Sequence, residues 1–246
     1  MENTKKVAFI SGANRGIGFE TAKNLAASGV TVVLGARDVE KGLAAAKQLQ
    51  ALGYEATAVQ YDADQAHTID AVHDYLQQHY GKLDILVNNA GISEEQLMGD
   101  NNSSKVSLEV LQHTFHVNLF AVIALTQKLL PLIQRSAAGR IVNLSSILGS
   151  LTLHSMENSP IDPAKSFAYN ASKTALNAYT VHLAHALKGT AIKVNSAHPG
   201  WVKTELGGDS APMEVEDSYK TSVALALLAA DGPTGGFFHQ GEGLPW

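Results

Sequence analysis

Seven short runs rich in β-branched residues recur along the chain with helix-period segments between them, and this alternation constrains the fold more than any other feature. The runs are Lys6 to Ser11, Val30 to Ala36, Glu55 to Tyr61, Asp84 to Asn88, Arg140 to Ser145, Ile192 to Ala197 and a short Gly236 to His239. Helical segments lie at about Gly16 to Ser28, Val39 to Leu52, Gln65 to Tyr80, Ser107 to Ser136, Ala168 to Leu187 and Glu214 to Ala229. In the third, Ile69, Val72 and Leu76 recur at helical steps, and Gly81 stands where a glycine ends a helix. Parallel strands need a long crossover, usually a helix, so repeated βαβ units build a parallel sheet with helices on both faces. The expected fold is α/β, a doubly wound parallel sheet of about seven strands, with residues 1–246 forming a single domain.

Composition narrows the function classes. At 246 residues and 45% hydrophobic content the chain can bury a sizeable core. A net charge of −5, with 18 basic against 23 acidic residues and no block of one sign, gives no footprint for nucleic acid or an anionic membrane. Cysteine is absent, which excludes disulfides, thiolate nucleophiles and cysteine-ligated metals. Met1 to Lys6 carries none of the parts of a signal peptide, and no stretch is expected to reach the length and apolarity of a membrane helix, so a cytoplasmic location is expected.

The first run leads into Ser11-Gly12-Ala13-Asn14-Arg15-Gly16-Ile17-Gly18 and then a helical segment. Glycine lets the backbone turn tightly and approach a ligand, and a helix N-terminus offers free N–H groups to a pyrophosphate. Strand, turn and helix are the context such a loop needs, although the glycines alone also fit a plain helix start. Further on, Tyr169-Asn170-Ala171-Ser172-Lys173 sets a tyrosine and a lysine four apart at a helix start, one turn from each other on one face. A phenol titrates near ~10, and a neighbouring ammonium lowers that value, which suits the pair to acid and base work.

These two motifs stand in one order with Asn88-Asn89-Ala90-Gly91, His116-Val117-Asn118, Ser145-Ser146 and His198-Pro199-Gly200-Trp201-Val202-Lys203-Thr204. In that order and spacing, nearly the whole chain resembles the classical short-chain dehydrogenase/reductase family, and within it the carbonyl reductase-like members. The resemblance implies a Rossmann-like NADP-binding domain with Asn118, Ser146, Tyr169 and Lys173 as its catalytic residues. It implies that Ser146 binds the substrate carbonyl oxygen while Ser145 is structural. Tyr169 gives the proton, Lys173 lowers its pKa and binds the nicotinamide ribose, and Asn118 helps hold a relay water. Gly12, Asn14, Arg15, Gly16, Ile17 and Gly18 are expected to bind the cofactor, and Asn89, Ala90 and Gly91 to border its adenosine side. Tyr169 and Lys173 are further expected contacts, and Pro199, Gly200, Val202 and Thr204 are expected to cradle the nicotinamide. Asp62 matches an adenine contact, with a plain turn aspartate as the alternative.

The end of the second run decides between nicotinamide cofactors. Where the family usually has an acid stands Ala36, followed by Arg37, and Arg15 lies in the glycine loop. A carboxylate there repels a 2′-phosphate, whereas a guanidinium fork binds one, so NADP(H) is expected. The alternative is two solvated surface arginines. Asp38 reads as a helix N-cap.

The expected reaction is NADPH-dependent reduction of a ketone, aldehyde or quinone to the alcohol, reversibly. A non-catalytic NADP-sensing or scaffold protein is the rival, as is a lyase on the same fold, but both tyrosine and lysine are kept here. The expected partner is a small carbonyl or alcohol substrate, with no nucleic acid and no membrane, and a homo-oligomer is left open. His113 with His116 and His182 with His185 lack a third ligand, so no metal is expected. Residues 92–105, Leu148 to Ser166 and Glu205 to Glu214 are irregular and follow strand ends, which makes them candidate pocket walls. Ser146 and Tyr169 lie 23 positions apart, more than in compact members, so the segment Leu151 to Ser166 is an insertion that either walls the active site or is a passive surface loop.

Overall fold

The computed structural model describes residues 5–95, 101 and 103–246. Part of the irregular stretch expected at 92–105 therefore lies outside the described residues. The strands are β1 (Val7–Ser11), β2 (Thr31–Ala36), β3 (Ala56–Gln60), β4 (Ile85–Asn88), β5 (Arg140–Leu144), β6 (Lys193–Ala197), β7 (Phe237–His239) and β8 (Glu242–Gly243). They form one sheet in the order β3-β2-β1-β4-β5-β6-β7-β8, parallel as far as β7. Phe9 of β1 pairs with Val33 on one side and Leu86 on the other. Chain order thus reverses between β1 and β4, and in such sheets a crevice opens there at the strands' carboxyl ends.

The helices are α1 (Gly16–Ala27), α2 (Val39–Ala51), α3 (His67–His79), α4 (Leu108–Phe115), α5 (Ala121–Ile133), α6 (Leu151–Ser155), α7 (Phe167–Ala186) and α8 (Lys220–Ala226). Alternate residues of β1 serve two cores: Ala8 and Ile10 pack with Leu25, Leu34 and Leu49, whereas Val7 and Phe9 pack with Leu76, Leu86 and Leu125. A strand buried on both faces reads as a continuous apolar run, which is why β1 and β2 stand out in the sequence. Gly81, at a φ of 68°, ends α3 with its N–H on Leu76 O. Asp38 caps α2 by accepting from Lys41 N at 3.2 Å.

Four features differ from the sequence reading. An eighth strand, two residues long, folds back antiparallel on β7. The long segment from Ser107 is not uniform: a π turn at His116–Phe120 separates α4 from α5, with Ala121 N bonded to His116 O. The last helix is short, a 3₁₀ turn at Val215–Asp217 followed by α8 only to Ala226. Past Leu227 the chain is irregular, and there the buried Arg140 guanidinium donates to the carbonyls of Leu228 and Ala229, at 2.7–3.2 Å. Finally, Leu108–Ile133 taken as one helix of 26 residues has a mean hydropathy of 1.5 in its most apolar window and is long and apolar enough to cross a membrane, contrary to expectation. Of that window 56% is buried in the fold, with Leu125, Leu129, Leu132 and Ile133 packed on the sheet, so the core accounts for its apolarity.

Candidate active site

The first turns of α7 place Tyr169 and Lys173 on the face turned to the sheet, where both are buried. Lys173 Nζ lies 5.6 Å from the Tyr169 ring centroid and donates to Leu144 O at 2.8 Å, which ties the ammonium to the end of β5. The turn after β5 lies tightly against α7. A Cβ on Gly149 would stand 2.8 Å from the Lys173 carbonyl carbon, so a larger residue would push the helix away. Ser145 Oγ reaches Lys173 O at 3.5 Å, in keeping with a structural part. Ser146 is buried, and its Oγ accepts from Leu148 N at 3.2 Å.

Burial sets the protonation of the pair. It pushes the Tyr169 phenol up to about 12, with the Ser146 hydroxyl pulling the other way. It pushes the Lys173 ammonium down to about 8. Desolvation, not a lysine charge, thus dominates the tyrosine, which differs from the lowering expected from its neighbour.

Asn118 sits in the π turn, fully buried. Its Oδ1 accepts from Ile92 N at 2.8 Å, and its Nδ2 donates to Ile92 O at 2.9 Å and Ser172 Oγ at 3.0 Å. The side chain therefore pins the segment after β4 to α7 from behind the cleft. A Cβ on Gly91 would fall 3.2 Å from Asn118 Oδ1 and 3.3 Å from Lys173 Nζ, so the glycine keeps open a space on which both groups converge.

A cleft of about 720 Å³ runs from these groups to the glycine loop. Ser146, Tyr169 and Lys173 line it, as do Gly12, Arg15, Gly16, Ile17 and Gly18. Gly12 and Gly16 have φ of 65° and 61°, left-handed values that favour glycine. Arg37, Asn89, Gly91, Pro199, Gly200, Val202 and Thr204 complete the expected residues that face it. Arg15 pairs with Glu205 across the cleft, whereas Arg37 is exposed on the rim and has no ion pair among the described residues. An unpaired guanidinium beside a glycine loop is a fitting site for a phosphate.

Other expected contacts have local work. Asn89 Nδ2 donates to Ser11 O and Gly12 O at 2.9 and 3.0 Å, and Ala90 N donates to Ser11 Oγ, so this segment buttresses the glycine loop. Asn14, Ala90, Asp62 and Asn118 do not line the cleft. The Asp62 carboxylate accepts from Asp64 N and Gln65 Nε2, the behaviour of a turn aspartate. Thr204 Oγ1 accepts from Gly207 N at 3.0 Å, closing its own turn.

Two further groups line the cleft: His198, given no part of its own in the sequence reading, and the inserted segment, expected there as a candidate wall. His198, buried, accepts from Ile147 N at 3.3 Å through Nδ1, packs 4.9 Å from the His239 ring, and has its pKa pushed down to about 3 by burial and then by His239. It is neutral and steadies the turn just after Ser146. The inserted segment contributes Pro160, Ile161, Pro163 and Ala164 to the cleft, and Ile161 and Ala164 cluster with Leu148 and Tyr169 itself. Among the described residues no group of acidic and histidine side chains is arranged to hold a metal.

Comparison with known proteins places this geometry among relatives. Residues 6–215 match the family model for short chain dehydrogenase. The chain is 33% identical to carbonyl reductase (NADPH) 1 of Mus musculus, covering 100% of both chains. It is 32% identical to salutaridine reductase of Papaver bracteatum, covering 96% of this chain and 95% of that one. Among solved structures, carbonyl reductase Sniffer of D. melanogaster superposes with a TM-score of 0.83 at 28% identity, over 98% of this chain and 99% of that one. The NADPH-bound carbonyl reductase from chicken fatty liver gives 0.84 at 26% identity, over 98% and 94%.

Proposed function

The chain belongs to the short-chain dehydrogenase family, and from that premise we propose that it is an NADPH-dependent reductase of a small ketone, aldehyde or quinone, working reversibly. The observation that carries this is one cleft lined both by Ser146, Tyr169 and Lys173 and by a glycine loop with Arg37 on its rim. Residues 1–246 are proposed as one NADP-binding domain.

The residues present fit NADP(H). Left-handed Gly12 and Gly16 leave the backbone open where a pyrophosphate would lie, at the N-terminus of α1. Arg37, exposed and without an ion pair among the described residues, offers its cation to the 2′-phosphate, with Ala36 in place of a repelling acid. Lys173 would hold the nicotinamide ribose, and the turn at Pro199 and Gly200 would border the ring. The cofactor supplies the hydride when bound.

The chain's own groups do the rest. Ser146 Oγ donates a hydrogen bond to the substrate carbonyl oxygen and fixes it beside the phenol. Tyr169 Oη–H gives its proton to that oxygen as negative charge develops there. A phenol held near 12 is fully protonated at neutral pH, the state an acid needs for reduction. Lys173, tied to Leu144 O, keeps a protonated donor next to the space that Gly91 leaves open, and Asn118 holds the wall of that space.

The test is a panel of one ketone, one aldehyde and one quinone, each with NADPH and with NADH, following loss of reduced cofactor. Turnover of at least one carbonyl with a clear NADPH preference is expected. Binding of NADPH with no turnover across a broad panel would favour the non-catalytic reading.

A further inference from the structure

The helix that carries Tyr169 and Lys173 starts without a cap of its own. Ser166, its N-cap, makes no side-chain cap bond, although serine is a favoured cap. The free N–H groups go instead to Glu95, whose Oε2 accepts from Ala168 N at 2.7 Å and from Tyr169 N at 3.2 Å. Glu95 lies 73 and 74 positions earlier, on the segment that follows β4. A carboxylate is also favoured at the positive end of a helix.

The same segment is held at its other end. Ile92 gives both its N–H and its carbonyl to Asn118, and Ser93 Oγ donates to Glu95 O at 2.8 Å. Ile92 and Ser93 line the same cleft as Tyr169 and Lys173. The wall and α7 are therefore joined at two points, Asn118 to Ile92 and Glu95 to the amide of Tyr169 itself.

We infer that Glu95 is a positioning residue for proton transfer: its carboxylate caps α7 from the segment after β4 and holds Tyr169 in register with the cleft wall at Ile92 and Ser93. This rests on Tyr169 being the proton donor. Both bonds end on one oxygen, so a glutamine Oε1 can accept them, whereas an aspartate is one methylene short and an alanine has no acceptor.

The parent, Glu95→Gln, Glu95→Asp and Glu95→Ala are compared by steady-state reduction of menadione with NADPH, by NADPH binding, and by hydrogen–deuterium exchange of the peptide spanning 166–172. For Glu95→Ala and Glu95→Asp, kcat falls about tenfold, as a small misplacement of a reacting group costs, while NADPH affinity stays within about twofold and exchange of the peptide quickens. Glu95→Gln restores both kcat and exchange. A helix that had merely lost stability would weaken NADPH binding in step, because Lys173 shares it. Parental kcat and parental exchange in Glu95→Ala overturn the inference, and so does a Glu95→Gln as impaired as Glu95→Ala. If Glu95→Ala does not fold, the contrast between Gln and Asp decides. A parent that reduces no carbonyl refutes the proposed function instead, and exchange in the variants then still decides whether Glu95 caps α7.

Discussion

Tyr169 and Lys173 are buried in opposite senses of cost: burial keeps the phenol in its neutral, useful form but opposes the charge on the lysine. Tyr169→Phe removes the proton donor without touching the glycine loop, so kcat should fall by at least about 100-fold while NADPH affinity stays near the parent's. A binding titration beside initial rates checks this, and substantial residual turnover would argue for another donor. For Lys173 the consequence is a stability that depends on pH. Its folded pKa is near 8 against a reference of 10.5. Below 8 both states carry the charge and the folded state bears the full desolvation cost. Between 8 and 10.5 the unfolded chain binds the extra proton, so stability from this group rises with pH. Lys173→Met should therefore be more stable than the parent at pH 7 by up to roughly 3 kcal/mol, less the lost bond to Leu144, and the gap should close toward pH 10. Urea unfolding of both proteins at pH 7, 8.5 and 10 measures it, and a gap that does not change with pH contradicts the assignment.

Between elements, the inserted segment is where cleft shape is made. Ile161 and Ala164 pack on the Tyr169 side of the cleft, and Asn170 Nδ2 donates to Ala164 O at 2.8 Å, so the segment is seated on the catalytic helix. Replacing 153–162 by a short linker should change the ranking of bulky against small carbonyl substrates more than it changes NADPH affinity, since the glycine loop lies at the far end of the cleft. An unchanged ranking in a folded variant would make the segment a passive loop. The insertion, the glycine loop and the Tyr169–Lys173 pair were legible in the sequence because each is a local pattern: a spacing, a run of glycines, an excess of residues. What escaped it were long-range captures. Glu95 reaches α7 across more than 70 positions, and Arg140 reaches the carbonyls of Leu228 and Ala229 just past α8. The π turn at His116–Phe120 carries Asn118, whose bonds to Ile92 and Ser172 are likewise long-range. His198 carries no local pattern that marks its part, and its burial beside His239 pushes its pKa down to about 3 and keeps it neutral.

Across the whole molecule, the two ends of the sheet are treated differently. β1 and β4 meet at its middle and open the cleft, whereas the far edge is closed by the β7–β8 hairpin and the residues after it. There Leu244 N donates to Phe237 O at 2.8 Å, and the Trp246 ring stacks on Phe237 with centroids 5.7 Å apart and planes at 20°. Trp246 O then accepts from Thr152 N at 2.8 Å, which fastens α6, the first part of the insertion, to the edge of the sheet. The cleft wall is thus braced from both sides, by α7 through Asn170 and by the tail through Thr152. Trp246→Ala removes the ring that positions this carbonyl. The loss of a partly exposed aromatic stack should lower stability by roughly 1–2 kcal/mol, or a fall in Tm of about 2–8 °C in a chain of this size. If the tail braces the wall, the same variant shifts substrate ranking in the direction seen when the insertion is shortened, with NADPH affinity unchanged, because nothing at Trp246 touches the glycine loop. Thermal unfolding, the carbonyl panel and NADPH binding on one preparation separate the outcomes: a lowered Tm with an unchanged ranking makes Trp246 edge packing alone, and the insertion must then be held by α7.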